Sequence, residues 1–541
     1  MPEEPFPFQS RRSPVYATRG MVASSQPLAT QVGLEVLMRG GNAADAAVAT
    51  AAALNVTEPT STGLGGDCFA LFYEGNSGKV TALNGSGRAP AGLTLDLLRE
   101  QGFGRELPPY HAHTITVPGA CAGWCDLVER HGRLPMGPIL EPAIRLAEEG
   151  FPVAPITAYS WGRGAERQLL DAPGGRELLI DGRAPRAGEV FRNPGLARTL
   201  RAIAEGGKEA FYEGDIARKI SAAVKGAGGV MTEEDLAAHR STWDEPIRAV
   251  YKGVRLHECP PNGQGLVALL ALNILSNFEL PREALSASRL HLVIEALRLA
   301  FADGGWHVVD PSFAKIPLQG LLSSAYAKER ARLVDLRRAR LDRSHGTPPM
   351  GSDTVYFSVV DGQGNACSFI NSNYMGFGTG IVPEGTGFSL QNRGHNFSLD
   401  PAHPNALAPG KRPYHTIIPA MATREDGSLY ASFGVMGGFM QPQGHVQVLL
   451  ALVEDGLNPQ AALDRPRICL DEGIPGGDVA LEEGIPAPMM RELTQMGHRV
   501  SFVTGHERAL FGRGQIILRD PSSGVLCGGS DPRADGCAMG F

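Results

Sequence analysis

A layered α/β structure with a mostly antiparallel sheet is what this sequence predicts, and three observations predict it. Two helical stretches open the chain, amphipathic helical patterning fills its middle, and strand-forming residues take over in the C-terminal third. Residues 27–55 (PLATQVGLEVLMRGGNAADAAVATAAALN) read as two helices parted by Gly40-Gly41-Asn42, a stop followed by a restart. The glycine-rich turn Gly63-Leu64-Gly65-Gly66 precedes a strand-like run from Cys68 to Tyr73. Residues 115–310 read mostly as amphipathic helices, and the apolar run 266–275 (LVALLALNIL) reads as a core helix. The charged stretch 329–343 leads into a Gly/Pro/Ser-rich segment, 345–352 (HGTPPMGS), whose composition suits an exposed linker where chains are cut.

After that segment the pattern changes. Thr354 to Val360 is β-branched and aromatic, Asp361-Gly362-Gln363-Gly364-Asn365 is a turn, and Ala366 to Asn371 is strand-like again, which together predict a hairpin. Thr354 and Ser372 each lie nine residues from Gln363, so the spacing sets them opposite one another. Directly opposed Cβ atoms are about 5 Å apart, and a bulge at the glycine turn would shift the pairing by one residue.

Composition excludes several function classes. Of 541 residues, 43% are apolar and 20% charged, as in a globular chain with a large core. Length alone suggests about three or four domains, a soft prior for interleaved folds. The net charge of -7, the pI near 6.1 and the absence of a basic run argue against nucleic acid as a partner. The opening residues MPEEPFPFQSRRSP lack the apolar stretch of an export signal, and run 266–275 is too short to cross a bilayer. A cytoplasmic protein without membrane partners is therefore expected. The eight cysteines are scattered, Cys121 and Cys125 being the one pair at helical-turn spacing, and all are expected to be reduced and mostly buried. His291 and Glu295 stand at i, i+4 with His307 following, but no second histidine completes an HExxH frame, so a packed helix without metal is the reading. Gly63 to Gly66 has no lysine at phosphate-loop spacing and reads as a close-packed turn.

A threonine next to a cleavable linker has chemical meaning. Its hydroxyl alone is a poor nucleophile, but a free α-amino group, with a pKa near 8, places a base on the same residue. Cleavage between Asp353 and Thr354 would create that amine. The plainer alternative is that Asp353-Thr354 merely begins a strand.

The surroundings favour the chemical reading. The stretches GGNAADAAVA (40–49), TGLGGDCF (62–69), DTVYFSVVDGQGNA (353–366), FGTGIV (377–382), GKRP (410–413) and GGSDPRADG (528–536) resemble the gamma-glutamyltransferase family in order and spacing, from about residue 15 to the C-terminus. The resemblance implies one chain that cuts itself before a threonine and keeps both pieces together, without a cofactor. Its fold is a four-layer αββα sandwich of stacked antiparallel sheets, the N-terminal-nucleophile hydrolase fold. Residues 1–353 would be a large, mostly helical region supplying part of the sheets, and 354–541 a small region, the two forming one intertwined domain. A dimer of such heterodimers stays open. By the same resemblance Thr354 is the nucleophile, and Ser372 replaces a second threonine that polarises its amine and hydroxyl. Gly437 and Gly438 in GVMGG match the pair whose N–H groups form an oxyanion hole.

Departures from the family concern the substrate. Where members carry an arginine for the substrate α-carboxylate this chain has Ser86, with Arg88 two positions on. The aspartate for the substrate amine aligns with Asn396, a neighbouring polar position with Arg393, an asparagine with Tyr374, and a Ser-Ser pair with His415-Thr416. The loop between Phe397 and Lys411 is too short for a lid. The pattern resembles the lidless, unexported branch with oxamate amidohydrolase and dicarboxyl-amide acylases, and implies a small anionic amide as substrate. Arg88, Arg393, Asn396, His415, Thr416 and Tyr374 are the residues expected to meet it. The alternatives are that His415 is buried on backbone and that the two arginines neutralise acids such as Asp67 or Glu384. Hydrolysis through an acyl-Thr354 ester, with transfer to an amine as a second outcome, is the expected activity. Gamma-glutamyl compounds and oxamate- or glutaryl-type amides compete as substrates, and an uncleaved binding scaffold is the reading of another class.

Overall fold

The computed structural model describes residues 12–341, 354–474 and 476–541; Asp353, the other side of the expected cleavage point, lies outside them. Two seven-stranded sheets, each antiparallel between every pair of neighbours, are stacked face to face. One runs in the order Val15–Ala17, Leu526–Ser530, Arg513–Arg519, Leu429–Met436, Ala420–Arg424, Val254–Glu258, Ile247–Tyr251. The other runs Cys537–Gly540, Met21–Ser24, Val355–Val360, Ala366–Ser372, Asp67–Tyr73, Val80–Gly85, Thr242–Asp244.

The strand Val355–Val360 shows why the layers form. Its six residues are all buried, because alternate side chains feed two different cores. Val355, Phe357 and Val359 join the apolar cluster beneath helices Pro27–Met38, Ala43–Thr57, Ala120–His131 and Met136–Glu149. Tyr356 and Val360 instead enter the layer between the sheets, beside Phe69, Ile370, Met421, Met436 and Ile517. A third core packs Ala420, Ala422, Phe433, Val435 and Ile516 of the first sheet against helices Gly265–Leu275, Ala287–His307 and Met440–Val453. A hydroxyl contact joins the two sheets inside the apolar layer, Ser358 Oγ lying 2.7 Å from Ser432 Oγ, while Tyr356 Oη, 2.8 Å from Ser368 Oγ, ties the two strands of the hairpin within one sheet.

The first two helices stop and restart as expected. Asn42 caps Ala43–Thr57, its side chain accepting from Ala44 N and Asp45 N while Asp45 accepts from Asn42 N in return. The hairpin turn is organised by Asp361. Its carboxylate accepts from the N–H groups of Gln363 and Asn365 and, from across the molecule, Ala43. All eight cysteines are free thiols, with Cys125 and Cys537 partly exposed and the rest buried. Among the described residues no helix is long and apolar enough to cross a membrane.

The middle of the chain departs from expectation. Inside the stretch read as helical, Thr242–Asp244 supplies the outer edge of one sheet, and Ile247–Tyr251 with Val254–Glu258 the edge of the other. Ile247–Tyr251 does alternate, burying Ile247, Ala249 and Tyr251 and exposing Arg248 and Val250, but five residues are short against long flanking helices.

Gly434 faces Tyr356 across the layer between the sheets, and a Cβ there would stand 2.5 Å from the Tyr356 ring. Gly434→Ala is expected to lower stability by about 1–3 kcal/mol through overpacking. Guanidinium unfolding checks this, and an unchanged midpoint would show the layer to be loosely packed.

Candidate active site

The hairpin brings the two hydroxyls together. Val355 pairs with Asn371, so continuing the ladder by one residue sets Thr354 opposite Ser372, and no bulge intervenes. Thr354 Oγ1 donates to Ser372 Oγ at 3.0 Å. The next strand continues the row, with Ser372 paired to Asp67. The turn Gly63 to Gly66 presses on this end of the sheet, and a Cβ on Gly66 would lie 2.2 Å from the Ser372 carbonyl oxygen.

Ser372 Oγ also accepts from Tyr374 N at 2.8 Å and from Arg393 Nη2 at 3.1 Å. Arg393 donates through Nη1 to Thr416 Oγ1 at 2.6 Å, and its guanidinium carbon lies 4.3 Å from the Tyr374 ring centroid. Thr354, Ser372, Arg393 and Thr416 are wholly buried. Burial pulls the Arg393 pKa down to about 10, against the opposing effects of Tyr374 and Asp67, so the side chain stays charged at neutral pH. Among the described residues no carboxylate ion-pairs with it, and its Nε–H has no partner. A buried cation with no carboxylate bonded to it costs free energy that a directly bonded anion would offset.

Tyr374 is held against its backbone preference, with φ at +80°. That conformation costs about 1–3 kcal/mol in a residue with a side chain and persists only where the surroundings fix it. Here they do, since Tyr374 Oη donates to Asn396 Oδ1 at 2.6 Å and Asn396 Nδ2 donates to the Tyr414 carbonyl at 3.1 Å. Both ends of the Asn396 amide are thereby used.

His415 is likewise committed. Its Nε2 lies 2.9 Å from Asp67 Oδ2, while Asp67 Oδ1 accepts from Gly87 N, Gly119 N and Gln391 Nε2 at 2.9–3.1 Å. Neither arginine hydrogen-bonds Asp67, whose contacts are a neutral histidine, an amide and two backbone N–H groups, but the Arg393 charge acts on it through space. Burial would raise the Asp67 pKa, but His415, Arg393 and Gln391 outweigh it and hold it below the usual range. Burial and the Arg393 cation push the His415 pKa down to about 3. Arg88 is not brought into this cluster, because its guanidinium turns to the Arg240 carbonyl, 3.3 Å away, on a partly exposed side.

Gly437 and Gly438 follow the strand Leu429–Met436, with φ of +134° and +57° that only glycine adopts without strain. Their carbonyls accept from Met440 N and Gln441 N at the start of helix Met440–Val453. Neither of their N–H groups bonds to a described residue. Gln264 went unnoticed in the sequence, yet its Nε2 donates both to the Thr416 carbonyl at 2.6 Å and to the Gly438 carbonyl at 2.8 Å, joining the Arg393 cluster to the glycine turn. Two free amide donors at a helix N-terminus can stabilise a developing oxyanion.

Of the residues read as a packed helix, His291 and Glu295 meet His498 in the core. His291, Glu295 and His498 are buried with ligand atoms within 4.8 Å of one another, but His291 bonds His498 and the Asp335 carbonyl, each at 2.7 Å. Arg298 lies 3.7 Å from Glu295, so the carboxylate already faces a cation there.

The unfolded chain protonates His415 below about pH 6.5, while the native fold resists until about pH 3. Its contribution to stability is therefore complete above pH 6.5 and declines as pH falls. Asp67, also depressed, adds stability above its unfolded pKa that is lost in still stronger acid. His415→Gln should make the decline of unfolding free energy between pH 6.5 and 4.5 shallower by at most about 1.4 kcal/mol per pH unit. Urea titrations at several pH values measure it, and an unaltered slope would contradict the assignment.

Comparison with known proteins places the chain. A gamma-glutamyltranspeptidase family model matches residues 29–541. The glutathione hydrolase-like YwrD proenzyme of Bacillus subtilis is 38% identical over 97% of this chain and 99% of its own length. The oxamate amidohydrolase proenzyme of Klebsiella pneumoniae is 36% identical over 97% and 99%. The crystal structure of cephalosporin acylase from Bacillus halodurans superposes with a TM-score of 0.93 at 49% identity, covering 100% of this chain and 99% of that one. The chain belongs to the gamma-glutamyltranspeptidase family of amide hydrolases and acyltransferases, and has its αββα N-terminal-nucleophile fold.

Proposed function

We propose that the chain cuts itself between Asp353 and Thr354 and then hydrolyses small amides that carry a single carboxylate. The observation that carries this reading is the Thr354–Ser372 hydroxyl contact beside the Arg393 cation, which has no carboxylate bonded to it. The Thr354 amine takes the proton of its own hydroxyl, and Oγ1 attacks the amide carbon. The Gly437 and Gly438 N–H groups receive the oxyanion, each such donor being worth about 3 kcal/mol of barrier. The proton passes to the leaving nitrogen as the C–N bond breaks, leaving an ester on Thr354. Water, activated by the same amine, then releases the acid; an amine acceptor in its place gives transfer. Ser372 orients the hydroxyl, and the two pieces stay together because strands of both interleave in each sheet.

The substrate class follows from charge. The Nε–H of Arg393 is a donor awaiting a carboxylate. A substrate ammonium finds no counter-ion, because Asp67 is saturated by four donors and Asn396 is neutral with both amide ends bonded. A like-charge contact with Arg393 at about 4 Å would cost about 4 kcal/mol at an effective dielectric near 20. The oxamate amidohydrolase and cephalosporin acylase among the relatives support amide hydrolysis outside the gamma-glutamyl group. The YwrD relative, named glutathione hydrolase-like, keeps gamma-glutamyl compounds as the second reading.

Two measurements test this. The processed protein should run on a denaturing gel as pieces of roughly 37 and 20 kDa from the 57.4 kDa chain, by proportion of 353 and 188 residues. Thr354→Ala should remain one inactive band; cutting at the same bond would show that another agent does it. In steady state, oxamate or a glutaryl amide should show higher kcat/KM than glutathione or a gamma-glutamyl anilide. Equal or better turnover of the gamma-glutamyl anilide would contradict the assigned substrate class.

A further inference from the structure

The proposed chemistry is divided between two sheets. Thr354 and Ser372 lie on one, while the Gly437–Gly438 turn follows a strand of the other. Their separation is fixed only as well as the sheets are fixed to each other at that end. Apolar packing between sheets is non-directional and tolerates small slides, whereas a charged hydrogen bond does not.

One buried ion pair spans this gap. Arg513 pairs in the ladder with Met436, the residue immediately before Gly437. Its Nη1 donates to Glu58 Oε1 at 2.8 Å, and the side chains of Arg513 and Glu58 are 5% and 2% exposed. Glu58 ends the helix Ala43–Thr57 and opens the turn that reaches Ser372. Its Oε2 accepts from Ser25 Oγ at 2.5 Å and its Oε1 from Ser61 Oγ at 3.4 Å. The Ser61 carbonyl in turn accepts from the N–H of Asn373, the residue after Ser372. The glycine turn is also interlocked with the Arg513 strand. A Cβ on Gly512 would stand 2.1 Å from the Met436 carbonyl oxygen, and one on Gly437 3.1 Å from Gly512 Cα.

We propose that Glu58 and Arg513 are positioning residues: a strut between the sheets that sets the distance from the Gly437–Gly438 donors to Thr354. Neither touches the reacting atoms. They act through the turn on one side and through Ser61 and Asn373 on the other, and they join the two pieces on either side of the cleavage point. This rests on the proposed Thr354 chemistry. A misplacement of about 1 Å between nucleophile and oxyanion donors is enough to cost about 100-fold in rate.

The test compares this strut with a second, largely buried ion pair that also joins the two pieces but stands elsewhere, Arg289–Asp455 at 2.8 Å. Glu58→Gln, Arg513→Lys and Asp455→Asn are purified, checked for cleavage on a denaturing gel, melted, and assayed with whichever of glutaryl anilide and gamma-glutamyl anilide wild type turns over. All three should melt below wild type. Glu58→Gln and Arg513→Lys should lose about 10- to 100-fold in kcat with KM within about 3-fold, while Asp455→Asn keeps its kcat. Folded strut variants that fail to cleave, while Asp455→Asn cleaves, give the same result at the first turnover. Wild-type kcat in both strut variants, an equal kcat loss in Asp455→Asn, or failure of both strut variants to fold would overturn the strut. An uncut, inactive wild type would instead overturn the Thr354 chemistry itself.

Discussion

The antiparallel register of one hairpin governs the rest of the site. Because Val355 pairs with Asn371 and Ser372 with Asp67, three polar residues from three consecutive strands stand in a row at one end of a buried sheet. A slip of one residue would turn Thr354 toward the opposite face and leave Ser372 without it. The structure guards against such a slip at the other end of the hairpin. Asp361 binds the turn and, through Ala43 N, the start of the second helix, so the ladder cannot shift without breaking a contact 318 residues distant in sequence.

Electrostatics then select what the row can accept. Arg393 is placed by Ser372, Thr416 and the Tyr374 ring, all neutral, and so brings a positive charge into a buried interior. Asp67, the acid among the described residues that acts on Arg393, makes its hydrogen bonds to four donors of its own. A site of this kind gains most from a compact anion, because a carboxylate regains in charged hydrogen bonds what both groups lose in desolvation. Tyr374 contributes twice, its N–H fixing Ser372 and its ring supporting Arg393, which is reason enough for a non-glycine residue to be retained at positive φ.

How much of this was legible in the sequence depended on sequence distance. The hairpin, its register and the early helices were readable because their signals are local: a five-residue turn between β-branched runs, and an Asn42–Asp45 capping box. Arg393, Tyr374, Asn396 and His415 could be nominated only through resemblance, and resemblance did not reveal that His415 would be taken by Asp67, or that Arg88 would turn away to Arg240. Gln264 carries no local signal, being one polar residue before an apolar helix. Nor does the Glu58–Arg513 pair, whose members are 455 residues apart. Short edge strands such as Thr242–Asp244 form because a sheet already built offers them hydrogen bonds, so their three residues hold little information of their own.

The central claim is that the hydroxyl delivered by this register forms the covalent intermediate. Intact-mass and peptide-mapping spectrometry of enzyme quenched during turnover of a glutaryl amide examines it directly. The account predicts a small piece that begins at Thr354 and carries one glutaryl group on that residue. An adduct on Ser372 or elsewhere, or turnover by a chain with an intact Asp353–Thr354 bond, would contradict it.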